Sequence, residues 1–348
     1  MLPLFRAVRA RHLLSSVAVL SGALITGGCG TTAATAPPAT TSGSRPVAVT
    51  AAVPAAPGAG TEPAGSVRGL PGALYYFDED AGLRRLNLGG KLTTVVRDGA
   101  NTADVSPDGR RIAWVDSEFD LKVAGADGRN PRKIAAGVAG GFGFDPVWST
   151  DGSRILTGVA GPGGQADLDA DPAVVNVADR KITKLPAAIR DGIHYSWSGD
   201  GSRYVFTDGE CHVFHAAADG TGKRKVPVLG EDDNVTNPAS ARACDVVSVN
   251  RDGSRISVDL HVGEEPDGDV AGTRVADAVV DTATGKVQPI PVAGTVLAAL
   301  FQTDGRLLVR SEAKGVRTLT VLSPSFEVLA KVTEPAAVKK LALYDWTR

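Results

Sequence analysis

A strong net charge is missing from this chain of 348 residues. Its 37 lysines and arginines nearly balance 39 aspartates and glutamates, and the formal net charge at pH 7 is −2. Proteins that bind nucleic acids or anionic membranes through their whole surface are normally strongly basic. We therefore expect neither nucleic acid nor an anionic lipid surface to be a partner of this protein.

Catalytic motifs are also missing. The sequence contains no Gly-x-Ser-x-Gly elbow, no His-x-x-x-His metal pair and no phosphate-binding glycine loop. These arrangements place a nucleophile, two metal ligands or a cradle of backbone amides where the chemistry needs them. We therefore predict that the protein is not an enzyme.

Long apolar runs are absent as well, since a helix needs roughly 20 residues to cross a bilayer and no stretch reaches that length. The mostly apolar stretch from Leu13 to Ile25 follows three arginines and precedes Gly27, Gly28 and Cys29. A basic start, a short apolar stretch and small residues before a cleavage point indicate an export signal.

The end of this signal, Leu24-Ile25-Thr26-Gly27-Gly28-Cys29, resembles a bacterial lipoprotein processing site. The resemblance implies that residues 1–29 are a lipoprotein signal peptide and that the Cys29 sulfur takes a diacylglycerol and becomes the new N-terminus. We expect the mature protein to be extracytoplasmic and anchored to the bacterial cell membrane by lipid chains alone. An ordinary secreted protein with an incidental cysteine is the alternative.

Residues 30–68 are rich in Ala, Thr, Pro, Gly and Ser and contain almost no large apolar side chain. Such a segment cannot bury enough surface to offset the entropy lost on ordering. We predict a disordered linker that carries the following domain, residues 69–348, away from the membrane.

Repetition dominates the rest of the chain. Five segments share an apolar strand, a polar turn with Asp-Gly and a second apolar strand, and the Asp-Gly pairs start at 108, 151, 200, 252 and 304. The intervals are 43, 49, 52 and 52 residues. Asp-Gly between apolar runs favours a hairpin, because glycine adopts positive φ without penalty. A period of this length with several strands per unit indicates the four-stranded blades of a β-propeller.

The first copy, Val105-Ser106-Pro107-Asp108-Gly109-Arg110, resembles the TolB-type propeller repeat, in which this turn joins the first two strands of a blade. The resemblance covers about residues 70–348 and implies an all-β propeller with partners in the cell envelope. The other four copies keep Asp-Gly and lose the proline.

The two ends of the repeat region complement each other. Residues 73–88 contain two strands of a blade that lacks its first strand, and residues 341–346 form a first strand without a blade. Joining them closes the ring and removes exposed sheet edges. We predict six four-stranded blades, or seven if a long loop contains a divergent unit.

Strand alternation sorts the connections between two faces of the ring. We call the face with the second-to-third loops and the blade-to-blade crossings the long-loop face, and the face with the Asp-Gly turns the turn face. The long-loop face is acidic, and binding residues usually lie on such loops above a rigid scaffold. The alternative is that these charges only keep the loops solvated. The partner-binding residues that we predict are Asp167, Asp169, Asp171, Glu231, Asp232, Asp233, Glu264, Glu265, Asp267 and Asp269.

Cys211 and Cys244 fall at the long-loop face of neighbouring blades, on either side of a long loop. Disulfides form and persist outside the cytoplasm. We therefore predict a disulfide between these two residues, with two inert buried thiols as the alternative.

Two features of the long-loop face offer cation ligands. Asp167, Asp169 and Asp171 have the alternating oxygen ligands that Ca²⁺ uses, without the Gly and the distal Glu of an EF-hand loop. His194 and His261 fall near the same face and could bind a metal together with carboxylates. We expect no cofactor, and keep Ca²⁺ or another divalent cation at these residues as an alternative.

These observations predict a monomeric, non-catalytic envelope lipoprotein that binds a protein partner through its acidic long-loop face. A propeller that binds or senses a small ligand or a divalent cation is the first alternative. A metal-dependent carbohydrate-active lyase or hydrolase is the second, and its turnover would depend on His194 or His261.

Overall fold

The computed structural model describes residues 67–141, 143–160, 170–227, 229, 241–262 and 275–347. Within these ranges the chain consists mainly of short antiparallel strands. Its helices there are four 3-10 turns, and none is long and apolar enough to span a membrane. The predicted signal peptide, Cys29 and the linker up to Ser66 lie outside the described residues. The 3-10 turns are Val67–Gly69, Ala100–Thr102, Ala187–Ile189 and Ala336–Val338.

The strands form six blades. Blade 1 contains β1 (Ala73–Asp78), β2 (Gly82–Leu86) and β3 (Leu92–Val96), and blade 2 contains β4 (Asp104–Val105), β5 (Arg111–Val115), β6 (Asp120–Gly125) and β7 (Arg132–Ala136). Blade 3 contains β8 (Val138–Ala139), β9 (Val147–Trp148), β10 (Arg154–Ala160), β11 (Ala170–Asn176) and β12 (Ile182–Lys184). Its innermost position is shared by β8 and β9, which both pair with β10.

The second half of the ring follows the same plan. Blade 4 contains β13 (Ile193–Trp197), β14 (Arg203–Thr207), β15 (Val213–Ala217) and β16 (Arg224–Lys225). Blade 5 contains β18 (Val246–Val249), β19 (Arg255–Val258), β21 (Ala278–Asp281) and β22 (Val287–Gln288), while β17 (Ala241–Arg242) and β20 (His261–Val262) form a separate short ladder beside it. Blade 6 contains β23 (Thr295–Phe301), β24 (Leu307–Ala313), β25 (Val316–Leu322) and β26 (Val328–Thr333).

The C-terminal strand β27 (Ala342–Thr347) closes the ring, because it pairs with β1 and becomes the innermost strand of blade 1. Leu74 lies opposite Trp346 in this register. The prediction that the two ends of the repeat region complete one blade is therefore confirmed, and the ring has six blades. Val67, near the end of the predicted linker, is buried against blades 1 and 6.

The Asp-Gly turns explain why serine and aspartate repeat along the chain. The Ser106 hydroxyl donates to Oδ1 of Asp108 at 2.6 Å, and the same oxygen accepts the amide of Arg110. The Ser106 oxygen in turn accepts the amide of Arg111 at 2.9 Å, and Gly109 completes the turn at φ 66°. The same pattern recurs with Ser149 and Asp151, with Ser198 and Asp200, and with Asn250 replacing serine in the fourth copy.

Arginine side chains join neighbouring blades on the turn face. The Arg111 guanidinium of blade 2 lies 4.6 Å from the centre of the Trp148 ring of blade 3 and donates to the Gly152 carbonyl at 2.7 Å. Planar guanidinium groups stack well on aromatic faces. The equivalent contacts are Arg154 over Trp197, Arg255 over Phe326 and Arg306 over Trp346.

A buried ion pair holds the crossing from blade 6 to blade 1. Arg310 donates to the Glu334 carboxylate at 2.8 and 3.1 Å, and the Tyr76 hydroxyl donates to the same group at 3.1 Å. The side chains of Arg310 and Glu334 are 5% and 0% exposed. The remaining Arg310 donors reach backbone carbonyls near the last 3-10 turn, so the buried charge is well satisfied.

Candidate functional site

A central cavity of about 190 Å³ is lined by the innermost strands of all six blades. It extends from the long-loop face, at Gly143 and Asp145, to the Asp-Gly turns, at Thr150 and Gly199. Side chains that converge on such a channel are the usual binding groups of a ring-shaped fold.

The charged groups that line this cavity have one sign. Four aspartates and one histidine contribute to it, and no lysine or arginine does so among the described residues. Several carboxylates that line one cavity produce a negative potential, which favours cationic groups over anionic ones. These residues are Asp104, Asp145, His194, Asp245 and Asp345.

His194 is held in an unusual conformation at the long-loop end of the cavity. Its φ is 50°, its amide donates to the Gly143 carbonyl at 2.6 Å, and its Nδ1 lies 2.8 Å from Oδ1 of Asp245. Gly143 has φ 83°, and a Cβ atom there would come within 2.6 Å of Ile193 Cβ and 3.2 Å of the His194 ring. The backbone can pass over the imidazole only because residue 143 is glycine.

Two of the aspartates also hold the ring together. Asp104 Oδ2 accepts the amide of Trp148 at 2.8 Å, and Asp345 Oδ2 accepts the amide of Val105 at 3.3 Å. Each bond joins the innermost strands of neighbouring blades. The anionic lining of the cavity is thus partly a consequence of how the blades are joined.

The second-to-third loops of blades 1, 2 and 4 are each closed by the aspartate with which the loop begins. Asp116 Oδ1 accepts the amides of Glu118 and Asp120 at 3.1 and 2.9 Å. Asp208 caps the loop of blade 4 in the same way, and Asp78 accepts two amides of the loop in blade 1. Part of the acidic character of this face therefore comes from turn formation, which the Asx-turn pattern of Asp followed by short loops could have indicated.

Several acidic side chains near the strand ends are neutralised by cross-strand bases. Lys133 lies 2.6 Å from Asp120, and Lys122 pairs with Asp116. Asp171 pairs with Lys184, and this hydrogen bond holds the pKa of the Asp171 carboxyl below its usual value. These residues are less available to a partner than their sequence suggests.

Other carboxylates of the long-loop face are exposed. Glu79, Asp80, Asp98 and Glu118 lie on loops and crossings of blades 1 and 2, and the one exposed base on the described part of these segments is Arg97. The partner-binding residues predicted from the sequence include none of these four.

Most of the predicted partner-binding residues lie outside the described residues. These are Asp167, Asp169, Glu231, Asp232, Asp233, Glu264, Glu265, Asp267 and Asp269. Asp171 is described on β11, next to Ala170, with the Lys184 partner given above. The backbone of His261 pairs with Arg242, and this places His261 on the ladder beside blade 5.

The predicted disulfide is confirmed. Cys211, at φ 62° in the second-to-third loop of blade 4, is bonded to Cys244, which precedes β18 of blade 5. The bond closes a separation of 33 residues. It fixes the chain directly before Asp245, the partner of His194, so it also supports one wall of the cavity mouth.

Two described groups bring three potential metal ligands within 4.8 Å of one another. They are Asp116, Glu118 and Asp120 in blade 2, and Asp208, Glu210 and His212 in blade 4. Both groups coincide with the Asp-capped loops, and His212 Nδ1 lies 2.8 Å from Asp208. Neither group includes the predicted candidates Asp171 and His194.

Comparisons with known proteins add similarity of fold. No protein-family model and no curated protein matches the sequence. Solved structures that are similar include TolB from Acinetobacter baumannii, at 15% identity and a TM-score of 0.45 over 76% of this chain and 66% of that chain. The match thus spans slightly less than two thirds of that TolB chain.

Two further solved structures are similar to this chain. A nidogen/laminin complex aligns at 13% identity and a TM-score of 0.46, over 78% of this chain and 96% of that one. An oligogalacturonate lyase from Vibrio parahaemolyticus aligns at 13% identity and a TM-score of 0.40, over 73% and 92%. The propeller is established by the strand pairing of this chain itself, and nothing about its activity follows from these neighbours.

Proposed function

We propose that this chain is a non-catalytic, TolB-type propeller lipoprotein that binds a protein partner through its long-loop face. Cys29 would hold it at the outer side of the cell membrane, and the linker would give the propeller reach. The observation that carries the proposal is the placement of exposed carboxylates on loops whose backbone is fixed.

A loop whose backbone is already held by hydrogen bonds is an advantage for binding, because ordering a flexible loop costs conformational entropy. Glu118 is exposed, yet its loop is closed by the buried Asp116, which accepts two backbone amides. Glu79 and Asp80 sit on the equivalent loop closed by Asp78. A carboxylate on a preorganised loop binds a cationic group with little loss of conformational entropy. A carboxylate on a flexible loop loses more entropy when it binds. This arrangement favours a docking face over charges that serve only solubility.

The test uses the full-length, lipidated chain in the cells that produce it. Chemical cross-linking followed by mass spectrometry compares the wild type with a Glu79→Lys, Asp80→Lys, Glu118→Lys variant. We expect one protein to be captured in quantity by the wild type and lost with the variant. Capture of no protein by the wild type would overturn the proposal.

Single substitutions provide a matched control. Glu118→Lys reverses one exposed charge on the long-loop face, and Glu327→Lys reverses one on the turn face, between β25 and β26. Both residues are exposed, so neither change disturbs the core. Capture should fall with Glu118→Lys and stay unchanged with Glu327→Lys. Equal loss with both would mean that net charge, not the face, decides binding.

A cation in the central cavity is the second candidate, and the one-signed lining favours it. Asp145, His194 and Asp245 line the long-loop mouth and offer carboxylate oxygens and an imidazole, although these three do not form a group with all ligand atoms within 4.8 Å of one another. Calorimetric titration of the purified propeller with Ca²⁺ and Zn²⁺ tests it, with Asp245→Asn as the variant. Saturable binding that the variant loses supports this candidate, and no heat of binding contradicts it.

The lyase or hydrolase hypothesis makes a different prediction. It requires metal-dependent turnover of a carbohydrate that is abolished by substituting His194 or His261. Incubation of the purified chain with oligogalacturonate and divalent metals would reveal such turnover, and we expect none.

A further inference from the structure

Phe119 is an aromatic residue in a backbone conformation that normally belongs to glycine. It occupies the fourth position of the Asp116 loop at φ 59°, and its side chain is 41% exposed. For a bulky side chain this left-handed conformation is strained, and Cys211, at the matching position of the blade 4 loop, has the same conformation at φ 62°. The chain thus places a large apolar ring on the surface at an energetic cost.

Three other non-glycine residues with positive φ show what such a conformation can maintain. Phe326 at φ 67° lies 4.8 Å under the Arg255 guanidinium, Cys211 forms the disulfide, and His194 pairs with Asp245. Each has a partner inside the described part of the ring. Phe119 makes no comparable ring contact among the described residues. A bulky aromatic residue that is held in this conformation with its ring exposed is a candidate for a contact outside the molecule.

The surroundings of Phe119 define the chemistry of that contact. Asp98, on the crossing from blade 1, accepts the Ser117 hydroxyl at 3.1 Å, and Glu118 is the residue directly before Phe119. Both acids are exposed. Asp116 and Asp120 of the same loop are buried and paired with lysines. The result is an exposed aromatic residue on a hydrogen-bonded turn, with exposed carboxylates at Glu118 and at Asp98.

We propose that Phe119 is the apolar anchor of the docking face and that its partner is a protein segment with a lysine or arginine next to an apolar side chain. The inference rests on the proposed function and deepens it, since it names the residue and the partner chemistry. An exposed aromatic side chain with charges at its rim has the composition of a binding hot spot. The base would lie between Asp98 and Glu118 while the apolar side chain covers the Phe119 ring.

Glycine substitutions separate a binding role from a structural one. Phe119→Gly should leave the melting temperature unchanged or raise it, because glycine accepts the left-handed conformation. Phe326→Gly makes the same change on the turn face and should lower the melting temperature, because it removes the ring under Arg255. A structural role for Phe119 would make the two variants equally unstable.

The binding probe is a fluorescein-labelled peptide of alternating lysine and leucine, titrated with the purified full-length chain and followed by fluorescence anisotropy. Peptides with serine for leucine, and with glutamate for lysine, test the two halves of the chemistry. We expect Phe119→Gly to weaken binding of the lysine–leucine peptide about tenfold, and Phe326→Gly and Phe119→Tyr to bind as the wild type does. The serine and glutamate peptides should bind no better to the wild type than to Phe119→Gly.

Equal affinity of the wild type and Phe119→Gly for the lysine–leucine peptide would overturn this inference. The proposed docking face could still be supported by cross-linking in that case. The failure of this inference and the failure of the proposed function are therefore distinguishable. A stronger affinity for the glutamate peptide would overturn the assigned charge of the partner.

Discussion

The guanidinium of Arg111 lies 4.6 Å from the centre of the Trp148 ring on the next blade. Its Nη2 also donates to the Gly152 carbonyl at 2.7 Å. One side chain therefore joins the second strand of blade 2 to both ends of the Asp-Gly turn region of blade 3. The sequence shows an arginine after each turn, but the partner belongs to another repeat.

Replacing Arg111 by alanine should lower the free energy of unfolding by about 1–2 kcal/mol, because a cation–π contact and a charged hydrogen bond to a carbonyl are lost. Urea unfolding followed by tryptophan fluorescence measures the change. Arg129→Ala is the control, since its side chain is 83% exposed and its guanidinium lies 3.6 Å from the carboxylate of the nearby Asp127. Equal effects of the two substitutions would contradict a role in joining the blades.

Asp151 should make stability depend on pH. The Ser149 hydroxyl and the Ser153 amide hold the pKa of Asp151 at about 2, below its ordinary value. Because the folded pKa is the lower one, the carboxylate stabilises the fold above about pH 4, and this contribution disappears as the pH falls toward 2. Ser149→Ala should raise the pKa of Asp151. NMR titration of the carboxyl measures it, and an unchanged midpoint would refute the assignment.

The Cys211–Cys244 disulfide should stabilise the propeller by about 4 kcal/mol in the chain-entropy model, given a separation of 33 residues. Guanidinium unfolding with and without a reductant measures this contribution. The Cys211→Ser, Cys244→Ser double variant should unfold like the reduced wild type and should not respond to the reductant. A wild type that is equally stable in both conditions would contradict the prediction.

Gly143→Ala should destabilise the fold and displace His194. The new Cβ would meet Ile193 Cβ at 2.6 Å in a conformation with φ 83°. Gly137→Ala is the matched control, because Gly137 has φ 64° and open space around its Cβ position. The control loses only the backbone freedom of glycine, about 1 kcal/mol, and Gly143→Ala should lose more. Thermal unfolding and the NMR signals of the His194 ring measure the two effects.

The sequence predicted the architecture well because each blade carries its own local signal. Asp-Gly between apolar strands indicates a hairpin in each repeat. The strands predicted at residues 73–88 and 341–346 each form part of a blade, and together they complete one. The disulfide followed from the strand order, since both cysteines reach the same face. Turns and strand order depend on neighbours in the chain, which the sequence displays.

The site was less predictable because its side chains depend on neighbours in space. The sequence suggests that Asp116 is a charged surface residue, whereas in the structure it is buried and accepts backbone amides of its own loop. Nothing in the sequence around Gly143 indicates that this residue lies against His194. Phe119 looks like an ordinary loop residue, and only its φ of 59° reveals the strain.

Site-specific photo-cross-linking tests the central claim, that the long-loop face binds the partner, most directly. A benzophenone amino acid is placed at Glu118 on the long-loop face or at Arg129 on the turn face of the full-length chain, and cross-linked products are quantified in the producing cells. The account predicts one dominant protein product from position 118 and none from position 129. A product of equal yield from both positions, or one from position 129 alone, would contradict it.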